Sequence, residues 1–125
     1  MNGRVLFEAY IAVACLITLA AALAATPRLL RARQQAVDGA LTEARSREEL
    51  RQVIARASTT GDSSLSMDVE FARAGLAGAI KGKTYADESY RTESAYTMLL
   101  GGVFVAHILA LGVTRFAYKA GVKTP

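Results

Sequence analysis

The sequence predicts an all-α membrane protein: two transmembrane helices joined by a mostly helical polar segment of about 65 residues. Three observations carry that expectation. First, 52% of the 125 residues are hydrophobic, too many for an ordinary soluble domain of this length. Second, they concentrate in two blocks. Residues 9–26 and 95–114, runs of 18 and 20, contain no Asp, Glu, Lys or Arg. A hydrocarbon core of ~30 Å needs ~20 apolar residues at 1.5 Å each. Third, the charge lies between the blocks. Residues 27–94 carry 11 of the 15 Lys and Arg and 10 of the 11 Asp and Glu.

That balance argues against a nucleic-acid partner. The net charge of +4 is not gathered into a basic run with interleaved aromatics. Cys15 is the single cysteine, so no internal disulfide forms and redox compartment is not readable.

The first element is expected over residues 1–26, with the helix from about Val5 to Thr26. Arg4, the apolar run and Ala22-Leu23-Ala24 imitate a cleavable signal peptide. Glu8 interrupts the end that should be basic, and the run exceeds the ~7–15 residues of a typical apolar region. It is therefore expected to stay as a span. Ala14, Thr18 and Ala22 fall four apart and form a strip of small side chains, which lets helix backbones approach closely in lipid.

The second element, residues 27–83, reads as polar and mostly helical. Thr26-Pro27 has the form of a helix start, with a cap followed by proline at the first position, or else the first helix continues through it with a kink. Leu30, Val37, Leu41 and Ala44 recur at helical spacing, as do Leu50, Val53, Ile54 and Ala57. Ser46 with Glu49 three residues on forms a capping-box pattern, so a helix restart is expected at 47. Residues 58–64 are a polar break. LSMDVEF, residues 65–71, alternates like a strand, but a lone strand would have no partner, so residues 66–81 are read as helix.

The third element is a long helix over residues 84–120 containing the second span at about 95–114, followed by a tail, 121–125. Thr84 opens it, with Asp87 and Glu88 in its first turn. Tyr96, Phe116 and Tyr118 bracket the apolar section at interface depth. Two spans put both termini on one side of the membrane. Arg28, Arg31 and Arg33 draw the loop weakly to a cytoplasmic or matrix side, although Arg115, Lys119 and Lys123 pull the other way.

Two motifs resemble chemistry. Residues 77–84, AGAIKGKT, approximate a phosphate loop with alanine replacing the first glycine. The mechanism needs backbone N–H groups around phosphates, Lys83 on the terminal phosphate and Thr84 on Mg²⁺. No room exists for the parallel sheet that holds such a loop. The simpler reading makes Gly82 the left-handed cap of a helix, and no nucleotide partner is expected. The second is His107, the only histidine, inside LGGVFVAHILALGV. An ionisable residue at mid-bilayer marks a functional candidate. Its ring is expected to meet another helix beside the small ribbon of Gly102, Ala106 and Ala110, flanked by Phe104 and Leu111. The alternatives are a cofactor contact with haem b or a quinone, and a proton relay. Haem b commonly takes two axial ligands, and a partner subunit would supply the second.

The functional expectation is a small non-catalytic accessory subunit of a larger, hetero-oligomeric membrane complex without a cofactor of its own. A respiratory or other energy-transducing complex of a bacterial or mitochondrial inner membrane is its expected host. An electron-transfer anchor using His107 is the first alternative, and a self-assembling pore or holin-like protein the second.

Overall fold

In a computed structural model the described residues, 3–60 and 64–119, form two helices: α1, Gly3–Thr60, and α2, Ser64–Lys119. Gly61, Asp62 and Ser63 of the expected polar break, and the tail 121–125, lie outside the described residues. The fold is all-α, but the charged region is not a separate segment joining two helices. Its residues are the continuation of both helices, 30–60 in α1 and 64–92 in α2.

The expected helix starts and stops inside α1 and α2 do not occur, and at Thr26-Pro27 the other expectation holds, a first helix that continues. Pro27 lies within α1. Lacking an N–H, it forfeits one ladder bond, and proline inside a helix costs about 3 kcal/mol. Ala25 and Ala32, buried to either side of it, mark the packing that opposes this cost. Thr26 does not cap a new helix; its hydroxyl donates to the Ala22 carbonyl oxygen at 3.0 Å. Ser46 lies mid-helix and half-buried, so no restart occurs at 47. In α2, Gly82 is not a cap and Thr84 starts nothing: its hydroxyl donates to Ile80 O at 3.0 Å. LSMDVEF is helical, because its alternation also contains the four-residue spacing of a helix. Leu65 and Val69 are half-buried, while Met67 and Phe71 are exposed.

The chain divides into two compact units: residues 1–29 with 93–125, and residues 30–92. In the first, the less exposed residues of α1 are Ile11, Cys15, Thr18, Ala22, Ala25 and Leu29. Their spacing is three and four in alternation, the rhythm of a seam between two coiled helices. On α2 the same rhythm selects Thr97, Leu100, Phe104, His107, Leu111 and Thr114. Between Ile11 and Leu29 the α1 side of this seam is small, while the middle of the α2 side carries Leu100, Phe104, His107 and Leu111, a combination that interdigitates well. The remaining large apolar residues point outward, Leu16, Ile17, Leu23, Leu99, Leu109 and Val113 among them.

In the second unit the rhythm continues. It runs through Ala32, Ala36, Gly39, Glu43, Ser46, Leu50, Val53 and Ala57 on α1, and through Leu65, Val69, Ala72, Leu76, Ala79, Lys83 and Ala86 on α2. Gly39 is the tightest crossing. A Cβ placed on it would lie 3.2 Å from the Lys83 Cα and 3.8 Å from the Ala86 Cβ. Backbone meets backbone there, which requires glycine.

Candidate functional site

Each unit places an ionisable candidate on its seam. In the unit of residues 30–92 it is Glu43, the one buried charged side chain among the described residues. Seam spacing turns Glu43 toward α2, where Lys83 meets it across the crossing with Nζ 3.0 Å from Oε2. Arg47, one turn further along α1, donates to Oε1. Both carboxylate oxygens are thus occupied by cations, the condition under which a buried charge is tolerated. The Lys83 hydrogen bond holds the Glu43 carboxyl below the usual carboxylate range. Burial acts in the opposite direction, and Arg47 adds to the lowering.

Residues 77–84 do not form a loop of the phosphate-binding kind. Residues 77–84 are uninterrupted helix, so their N–H groups lie in the i−4 ladder and do not converge on a ligand. Lys83 is already paired with Glu43.

In the other unit the polar feature is His107. It is half-buried on the seam with Phe104 and Leu111. Its Nδ1 lies 2.7 Å from the carbonyl oxygen of Val103 in its own helix. A carbonyl only accepts, so Nδ1 carries the hydrogen and donates. In the neutral tautomer that donates from Nδ1, Nε2 is the nitrogen without a hydrogen. That nitrogen is the atom of this residue able to ligate a metal or accept a proton. The nearby seam hydroxyls are turned inward on their own helices: Thr18 to Ala14 O at 2.9 Å, and Thr114 to Ala110 O at 2.7 Å.

The small residues predicted to pack separate into two groups. Ala14, Thr18 and Ala22 of α1 are half-buried. Gly102, Ala106 and Ala110 of α2 are exposed in the chain, and His107 lies beside their ribbon, not on it. Among the described residues no three His, Cys, Asp or Glu side chains gather as a metal site. The Glu43–Lys83 contact is the feature that sequence inspection missed. The signal available was the three-four spacing of Ala36, Gly39, Glu43 and Ser46, which is invisible when only large apolar residues are tracked.

No protein-family model matches the chain, and comparison with curated proteins and with solved structures finds no match.

Proposed function

We propose that the chain is a non-catalytic structural subunit of an integral membrane assembly. Its apolar unit crosses a bilayer as a helical pair, and its charged unit makes contacts outside the lipid. The observation that carries this reading is the outward direction of apolar side chains. Both helices contain a stretch long and apolar enough to cross a membrane, and almost none of either stretch is buried within the chain. Water would penalise that surface at roughly 25 cal/mol per Å². Lipid or neighbouring helices cover it without penalty. Beyond its first turn a helix satisfies its backbone N–H groups internally, as a bilayer requires, and Pro27 leaves only the Leu23 carbonyl without its ladder donor.

We place it in a bacterial or mitochondrial inner membrane, with Arg28, Arg31 and Arg33 on the cytoplasmic or matrix side. All three are exposed. The test is extraction of native membranes at alkaline pH, followed by mild detergent and native electrophoresis. The protein should stay in the membrane pellet and then migrate in a species much larger than 13.3 kDa. Release by alkali, or migration as a free monomer, overturns the proposal.

One observation favours a second reading, a haem- or quinone-associated anchor. The Nδ1 hydrogen bond to the Val103 carbonyl is the arrangement that orients ligating histidines, and it leaves Nε2 available. A Soret band in the purified assembly that disappears in His107→Gln supports this reading. Its absence from the wild-type assembly sinks the haem form.

A further inference from the structure

The second apolar stretch ends in cations. Past Thr114 come Arg115 and Lys119, one turn apart on α2 and both exposed. Neither side chain has an ion pair or hydrogen bond among the described residues. The two acids of this unit, Glu8 and Glu93, do not pair with them. A cation in the last turn complements the helix dipole, which accounts for Lys119. Arg115 stands a full turn earlier, where that pull has faded.

Beside these cations α2 carries an apolar groove of about 480 Å³, lined by Ile108, Leu109, Gly112, Val113, Phe116 and Ala117. Their spacing puts them on one face of the one helix. Gly112 makes the depression. A Cβ placed on it would meet nothing within 4 Å, so no contact within the chain calls for glycine there. Leu109 and Phe116, exposed by 63% and 76%, form the walls. Lys119 is seven residues beyond Gly112, about 10 Å along the axis and about 20° out of line. Arg115 is three residues beyond it, about 5 Å along the axis and about 60° to one side. Groove and cations therefore form one strip, apolar along the span and positive at its end.

We propose that this strip binds one anionic phospholipid. An acyl chain lies on Gly112 between Leu109 and Phe116, and the phosphate sits against Arg115 and Lys119. The depth of the site rests on the membrane reading above, in which Thr114 stands at the edge of the hydrocarbon. Charge selects the occupant. A second copy inserted the same way would bring its own Arg115 and Lys119 to the same level, and like charges oppose that contact. A phospholipid carries an apolar chain and a negative group in the order in which groove and cations stand. A net negative headgroup is favoured over a zwitterionic one, whose own cation competes for the phosphate. Arginine offers the phosphate oxygens a planar fork of donors, and lysine a point charge. The bound lipid also offsets two of the charges that pull this end of α2 against the orientation proposed from Arg28, Arg31 and Arg33.

The experiment is native mass spectrometry of the full chain in detergent, incubated with equal amounts of phosphatidylglycerol and phosphatidylcholine of identical acyl chains. The wild type should retain phosphatidylglycerol several-fold over phosphatidylcholine. Arg115→Gln combined with Lys119→Gln should bring the two lipids to parity. Gly112→Leu should remove the adduct by filling the groove, whereas Gly101→Leu, which also meets open space, should keep it. Helix content should hold or rise in both glycine variants, since leucine favours helix over glycine. Excess inorganic phosphate should leave the adduct in place, because it lacks the chain. Parity in the wild type overturns the proposal. So does a preference that survives Gly112→Leu or the double glutamine variant, displacement by inorganic phosphate, or a protein dimer in place of the lipid adduct. Alkaline extraction of native membranes reports separately on the membrane reading, so the two failures are distinguishable.

Discussion

Lys83 of α2 reaches across the helix crossing to Glu43 of α1, with 3.0 Å between ammonium nitrogen and carboxylate oxygen. This is a cross-helix ion pair in the seam. A seam lined with alanine and glycine offers few large knobs to set helix register, and a polar seam position is a well-attested register device.

The pair predicts a pH dependence. The Glu43 carboxyl is held below its ordinary range in the folded chain, so its contribution is present above the unfolded carboxylate pKa. It is lost as pH falls through the lowered folded value. Thermal melts of the full chain in detergent should show acid destabilisation that is reduced in Glu43→Gln. At neutral pH, Glu43→Lys should lower Tm by several degrees, and the exchange Glu43→Lys with Lys83→Glu should restore part of it. Arg47 stays behind as an unmatched neighbour, so full restoration is not expected. A double variant no better than the single would contradict a specific pairing.

Gly39 and Gly78 should respond oppositely to added volume. At Gly39 the first new atom lies 3.2 Å from backbone, which cannot rotate aside. Gly39→Val should therefore cost about 1–3 kcal/mol, the usual range for overpacking. Gly78→Ala meets open space and should gain about 1 kcal/mol in helix propensity. Chemical denaturation of the two variants measures the contrast. Equal responses would contradict the described crossing.

Pro27→Ala should stabilise the chain. The substitution restores an N–H within a continuous helix and removes a ring clash, a change worth up to about 3 kcal/mol. Were Thr26-Pro27 a true helix start, the same change would be neutral or mildly destabilising. The sign of the Tm change decides between them.

Nitrogen NMR of the His107 ring should show hydrogen on Nδ1, as donation to the Val103 carbonyl demands. The opposite tautomer would contradict that hydrogen bond. His107→Gln should leave helix content unchanged, since the partner carbonyl belongs to the same helix and retains its own ladder bond.

Much of this architecture was legible because apolar run length needs no three-dimensional information. Residues 9–26 and 95–114 declare themselves by composition. Helix faces were legible as faces, but not as packed faces. Leu50, Val53 and Ala57 lie on the seam, whereas Leu30, Val37 and Leu41 have equally good spacing and lie outside. Periodicity identifies a stripe and says nothing about what meets it. Breaker residues misled for a different reason. Pro27, Ser46, Gly82 and Thr84 are local preferences of at most a few kcal/mol, and a long paired helix overrides them. His107 was found by composition alone. Its bond to Val103 required coordinates, because an i−4 carbonyl is within reach of every helical histidine and used by few.

The close crossing at Gly39, and the small α1 side chains to either side of it, divide the chain into positions with very different freedom to vary. Outward residues such as Leu16, Leu109 or Val113 meet no fixed shape within the chain, so Leu, Ile, Val and Phe are interchangeable there. Ala25 and Ala32 are buried and Gly39 is confined by a neighbouring backbone, so larger side chains are disfavoured at all three. In a saturation mutagenesis screen, tolerated volume should rise and fall along α1 with the three-four beat of the seam. A distant descendant of this protein would be known by that beat of small residues, long after its bulky residues had been replaced.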